Sequence, residues 1–517
     1  MYLNSSMRFY SLLIIAFALI CSCSEEDINI VITPDPEPVT PQELTDVSSF
    51  NLLEPALAYL DITGVDALPT GKSDDLHAYV EYRDDVGNHF KKRVILNAQG
   101  ASSLSYPKKN LAMDFCEDEW IGDSTTSIQF GDWVKQDAFH FKANWIDTFR
   151  GGLAVATAYK LYDDIAKDDE PVHVRAGLTD FDTKALYHPD GFPCIISLNG
   201  QFQGVYAWQL KKHRKNMNME KANPKHVWFQ LETYTSSFNT GEMNWDHIEI
   251  KNPKKVSEES RSYIQALANY NNELEALEKS CNEQTMREEI SARYDIISMI
   301  NMIIHGIVTS NIDGFGKNAN FFTYDGKKWF VMPYDLDETF GNSWIASFQF
   351  PADWPYLSAD YSLSTCRKKN PYKWVCEYFW QDIKDKYKKL RDNGTIASDH
   401  IMKYLLDWNS RVGVENYSLE YAKWAACPSS QKPMISEEWE FIEDWSDYYS
   451  KEIDNYDTNR KYTVGEMCRY DYRLWRAKED NYGVVPVIQK GYFDTEDRTR
   501  SWIVKQIAID DVYFEYN

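Results

Sequence analysis

Residues 311–341 read "NIDGFGKNANFFTYDGKKWFVMPYDLDETFG", and how this stretch is read decides the fold. Its middle is a hairpin, two strand-like apolar runs joined by the turn "YDGKKW". The returning strand ends by delivering Asp335 and Asp337 on either side of Leu336, just ahead of Gly341. Before the hairpin, Asp313 follows a helix-like apolar run, and Asn318 comes five positions later. Carboxylates and amide oxygens are the hard donors that magnesium prefers. An Asp-x-Asp after a strand is, taken alone, more often the turn chemistry of a surface loop. An acid, an amide and two further acids arranged around one hairpin shift the reading toward a metal site.

Outward from this stretch the chain changes character once. Residues 48–250 carry short alternating or apolar runs such as "LHAYVEYRDD", "KRVILNAQG", "KKNLAMDF", "AFHFKANW" and "GVYAWQLKK", which read as strands. One helix, "RGGLAVATAYKLYDDI", interrupts them. From residue 251 to 457 helices dominate. "SEESRSYIQALANYNNELEALEKS" spaces Ile264, Leu267, Leu274 and Leu277 along one face after a serine-rich start. "SARYDIISMINMIIHGIVTS" is apolar nearly all round and should be buried. Amphipathic helices are expected at 371–392, 398–412 and 435–455. Residues 458–517 look β-like again and are read as a separate small β module. The expected class is α+β, a β-rich lobe followed by a helical lobe that holds the acids.

At 517 residues the chain exceeds one ordinary domain of about 100–200 residues. Its 79 acidic and 55 basic residues leave a net charge of -24, which argues against nucleic acid or an anionic membrane surface as a partner. Arg8 followed by "LLIIAFALI" reads as an export signal, too short to span a bilayer stably. The "ICSC" that closes it resembles a bacterial lipobox, so residues 1–22 are expected to be a lipoprotein signal peptide and Cys23 the lipidated residue. The following "SEED" resembles the surface-export signal of lipoproteins in Bacteroidetes-type bacteria, and residues 23–47 form a Pro-rich acidic linker. The expected location is the outer membrane, exposed at the cell surface and held there by the lipid alone. The seven cysteines beyond the signal show no C-x-x-C and are expected to be buried small apolar residues, or a disulfide or two.

The spacing of Asp313, Asn318 and the later acids matches kinase-type phosphoryl transfer. There an Asp orients the acceptor hydroxyl, an Asn holds magnesium, and an acid after a short hairpin bridges the phosphates through metal. "GASSLSYPKKNLAMDF" adds a small-residue loop able to approach phosphates, then Lys108 and Lys109 entering a strand. Two lysines there can equally be solvated edge residues. Arg150 in "FKANWIDTFRGGLA" reaches a phosphate or pairs with a carboxylate, and Gln209 lies on the second strand of the hairpin "NGQFQGVYAWQLKKH".

These five blocks, in this order over residues 95–341, resemble the CotH-type spore-coat kinases, an atypical kinase family. The resemblance implies a two-lobed protein-kinase-like fold that uses ATP and Mg2+ to phosphorylate Ser or Thr of a protein. It implies Asp313 as catalytic aspartate, and Asn318, Asp335 and Asp337 as metal ligands. Lys108 or Lys109 would touch phosphate, and Gln209 would stand where the family often has Glu at the lobe connection. Tyr334 stands where the family often has Trp. The tail resembles, more loosely, small carbohydrate-binding modules, with Tyr462, Trp475, Tyr482 and Trp502 as a possible face for a polysaccharide. The alternative to an enzyme is a non-catalytic surface protein of the same fold that binds glycan or a partner protein.

Overall fold

The computed structural model describes residues 51–117, 125–146, 153–233, 243–311, 313–342, 352, 371–425, 438–442, 452–470, 473–484, 486 and 495–516. The signal, linker and lipidation expectations fall outside the described residues, Cys23 included. Among the described residues no helix is long and apolar enough to cross a membrane.

The first β-rich part closes on itself. Strands β1 (Ala58–Thr63), β2 (Leu76–Asp84), β3 (His89–Gln99), β4 (Asn110–Cys116) and β5 (Ala138–Lys142) follow in chain order. After a π turn at Leu153–Ala158 and helix α1 (Tyr159–Ala166), β6 (Gly191–Leu198) and β7 (Gln201–Leu210) complete a barrel ordered β1-β2-β3-β4-β5-β7-β6. Closure comes from β6 running parallel to β1, with Ala58 beside Cys194. Alternation sorts the side chains: β2 buries Ala78, Val80 and Tyr82 and turns His77, Tyr79 and Arg83 outward. Trp208 is fully buried inside, with the rings of Phe141, Phe130 and Tyr82 at 4.7, 5.0 and 5.5 Å. Burial of each such ring contributes about 2–3 kcal/mol, and a closed ring leaves no strand edge to protect.

A second sheet carries the stretch that opened the sequence reading. Strands β8 (Val227–Leu231) and β9 (Ile248–Asn252) come first. Helices α2 (Glu258–Leu277), α3 (Glu283–Arg293) and α4 (Ile296–Val308) follow, then β10 (Asn320–Thr323) and β11 (Phe330–Met332) in the sheet order β9-β8-β10-β11. The expected hairpin is β10-β11, with Phe321 opposite Val331. Helix α4 is buried along its length from Ser298 to Val308 and is capped by Asp295, whose carboxylate also pairs with Arg175 at 2.9 Å.

Helices α5 (Pro371–Tyr378), α6 (Trp380–Asp392) and α7 (Ser398–Lys423) pack around α4 and the barrel. The helix expected to stop at 412 instead bends at Gly413, where φ is 76°, and resumes to Lys423. Glycine adopts that angle at little cost, which is why the chain turns and continues there.

The tail differs from the expected module. Strand β12 (Trp439–Ile442) lies inside the segment read as a helix and pairs with β14 (Arg473–Ala477), which pairs with β13 (Met467–Tyr470), so the small sheet begins before residue 458. Residues 495–513, read as β-like, form helix α8 (Thr495–Tyr513). Its Trp502, Ile503 and Ile507, and Phe514 just past its end, enter the same core as α4 and α6. That spacing is helical, and burial of this face against the other helices decides the conformation. Cys116, Cys194 and Cys468 are buried, and with Cys281 and Cys376 they carry free thiols.

Candidate active site

Three local structures bring the acids together. Gly306 of α4 leaves room for Phe315, whose ring lies 2.3 Å from where a Cβ would stand, and this packing seats the one-turn 3-10 helix Asp313–Phe315 against α4. The Asn311 side chain fixes that turn by accepting from the Gly314 N–H at 3.1 Å. Asn318, at φ 63°, donates its backbone N–H to Leu231 of β8 at 2.9 Å. Beyond β11, Asp335 adopts φ 58°, and its N–H donates to the Tyr159 hydroxyl of α1 at 3.1 Å. Two non-glycine residues held in the left-handed region cost energy, and such cost is concentrated at functional sites.

The Asn318 side chain lies between two carboxylates, its Nδ2 donating to Asp313 Oδ2 at 3.3 Å and to Asp335 Oδ2 at 3.4 Å. Two lysines answer the acids: Lys317 Nζ lies 3.5 Å from Asp313 and Lys142 Nζ, at the end of β5, lies 3.7 Å from Asp335. Asp337 and Glu338 follow in the short helix Leu336–Glu338. Burial, opposed by Lys317 and reinforced by Asp335, pushes the Asp313 carboxyl up to about 6. Burial and repulsion from Asp313 and Asp337 push Glu338 up to about 9. The Tyr106 phenol is raised to about 12 by burial and then by Asp337, Glu338 and Asp335, so the small-residue loop approaches the acids. Among the described residues no three His, Cys, Asp or Glu side chains gather closely enough to hold a metal ion. The donor set is nevertheless the hard-oxygen kind, and its crowded negative charge favours a cation. Asp335, the Asn318 amide oxygen and Asp337 in the next turn are the residues that would hold magnesium, with Asp313 beside them.

The two lysines expected at phosphate make their hydrogen bonds within the fold. Lys108 is 1% exposed, and its Nζ donates to Glu420 of α7 at 2.7 Å, to Val205 O at 2.6 Å and to Ala143 O at 2.9 Å, under the Tyr206 ring. An ammonium has three donors, and all three are used inside the fold. Lys109 donates to the carbonyls of Leu104 and Tyr106 and so braces the loop. Among the described residues, Lys142 and Lys317 are the cations paired with Asp335 and Asp313; both stand in quoted blocks of the sequence, but only folding separates them from the other lysines. Gln209 is buried in β7, opposite His140 and Gly191, and Arg150 lies outside the described residues.

The expected sugar-stacking face does not form from its four aromatics. Tyr462 and Trp475 fill the core of the tail sheet, and Trp502 packs against Phe340, leaving Tyr482 exposed at 65%. A sheet this small has no other source of core, so its aromatics turn inward.

Fold and site together define a mixed α/β protein whose acids converge at the end of a hairpin. The chain belongs to the CotH kinase family: the model of that family, described as CotH kinase protein, matches residues 96–393, more than half of the 517. That span includes Asp313, Asn318, Asp335 and Asp337 and stops short of Glu420. No curated protein matches the chain.

Proposed function

We propose that the protein is a kinase that transfers the γ-phosphoryl group of ATP to a Ser or Thr hydroxyl of a protein substrate. The convergence of Asp313, Asn318 and Asp335 on one point carries this reading. In it the chain up to about residue 250, the barrel included, acts as the N-terminal lobe, and the chain from about residue 251 to 457, with its helices and the hairpin β10-β11, acts as the C-terminal lobe. Magnesium, when bound, would neutralise charge developing on the phosphates. Asp313 takes the proton of the acceptor hydroxyl, whose oxygen bonds to the γ-phosphorus as the bond to the bridging oxygen breaks and ADP leaves. Lys142 and Lys317, beside the acids, orient the phosphates. Lipidation of Cys23 would place this activity at the outer membrane surface.

The test is nucleotide binding, with and without magnesium, by the mature protein and by Asp335→Asn, alongside phosphate incorporation by Asp313→Asn. Magnesium-dependent binding should fall at least tenfold in Asp335→Asn, as expected when a metal ligand is lost. Incorporation should fall by about a hundredfold or more in Asp313→Asn. A wild-type protein that binds no ATP in magnesium and labels no substrate overturns the reading.

A further inference from the structure

The side chain that would ligate a metal faces it with the wrong end, and the reason lies one residue further out. Asn318 Oδ1 accepts from Gln230 Nε2 at 3.0 Å, so its NH2 group is the end that meets Asp313 and Asp335. Gln230 is itself oriented. Its Oε1 accepts from the Lys212 amino group, and its NH2 also donates to Glu232 Oε1 at 3.0 Å. Lys212 is a donor packed 3.4 Å over the Tyr334 ring, a contact that favours its charged form. Burial and Lys251 press its pKa well below the usual lysine value, yet either protonation state donates to Gln230.

The chain Lys212 to Gln230 to Asn318 is therefore polarised in one direction. Turning the Asn318 oxygen toward the acids would set its NH2 against the NH2 of Gln230. Turning Gln230 as well would set its oxygen against the Glu232 Oε1 that its NH2 now holds. The first arrangement faces two donors and the second two oxygens in a buried site, at a cost comparable to a lost hydrogen bond. Gln230 and Asn318 are 4% and 6% exposed, so water does not relieve the conflict.

We propose that Lys212 and Gln230 are positioning residues that hold the Asn318 amide as a donor across Asp313 and Asp335, restraining divalent-cation capture until that amide is turned. This rests on reading Asn318 and Asp335, beside Asp313, as a metal centre. The NH2 group lies between the two carboxylates and softens their repulsion. A cation must displace it and reverse the relay, so the site's affinity is set partly from β8, outside the acids.

The test is Mn2+ binding, followed by its electron paramagnetic resonance signal, to the full chain and two variants. Gln230→Glu accepts from both Lys212 and the Asn318 NH2, which releases the Asn318 oxygen toward the acids; affinity should rise about tenfold. Gln230→Met removes the restraint without adding charge, and affinity should rise about threefold, which a purely electrostatic effect of Gln230→Glu would not produce. Tightening in both variants supports the relay. Mn2+ binding by the wild type with no tightening in Gln230→Met overturns the relay and leaves the metal centre standing. Absence of Mn2+ binding in all three proteins overturns the metal centre and the relay with it.

Discussion

Asp510 of α8 is 1% exposed and holds a carboxyl whose Oδ1 accepts from Gln506 at 2.8 Å, while Oδ2 has no partner among the described residues. Burial, with Asp511 adding and Gln506 opposing, raises its pKa to about 8. The folded protein therefore keeps this proton while the unfolded chain releases it near pH 4. Stability is fully present below about pH 4 and is lost as pH rises toward 8, with a slope of up to about 1.4 kcal/mol per unit from this one group. Asp510→Asn should flatten that slope in urea titrations at several pH values; an unchanged slope would show that Asp510 is ionised in the fold. The residues of the candidate site were legible at this scale because the chemistry of Asp313, Asn318, Asp335 and Asp337 is local to one 31-residue stretch. Their company was not. Nothing in the sequence separates Lys142 and Lys317, which pair with the acids, from Lys108 and Lys109, which bond within the fold; that distinction is made by which strand end faces which loop.

Among elements, the tie between the barrel and α7 rests on a fully buried ion pair, Lys108 with Glu420. Glu420 also accepts from the Val205 N–H at 2.8 Å, and a Cβ on Gly204 would lie 2.6 Å from Lys108 Cε, so the glycine makes room for the pair. Removing one partner strands a charge in the core. Lys108→Met and Glu420→Met should each cost about 3–5 kcal/mol, and the double variant much less than their sum. Equilibrium urea unfolding measures this, and additive losses would argue against a coupled pair. The sequence hides it because 312 positions separate the partners and because Gly413 reads as the end of a helix that continues past it. The same holds for the barrel. Its strands follow from alternation, but the parallel pairing of β1 with β6 that shuts it is a long-range event that a period of two cannot announce.

For the whole molecule, the tail is two things. The sheet built from β12, β13 and β14 carries its own small aromatic core, whereas α8 belongs to the main one, and all of it falls in a single unit, Leu44–Asn517. The reading of 458–517 as one module failed because aromatic residues suit strands and buried helix faces alike, and only the partner surface decides between them. A chain ending at residue 484 should retain the small sheet but lose Trp502, Ile503, Ile507 and Phe514 from the central core. The expected result is a drop in melting temperature of more than about 10 °C, or insolubility, on the scale of several large-to-small core losses at once. Melting at the parental temperature would show that α8 is dispensable. The position of α8 also sets an order of events. Helix α4, against which the turn holding Asp313 is seated, gains one wall of its burial from a segment some 200 residues further along. The chain must therefore keep that apolar helix from irregular association until the last part of the core has been synthesised and has arrived. Any folding of the preceding part during synthesis leaves that wall of α4 open until α8 emerges.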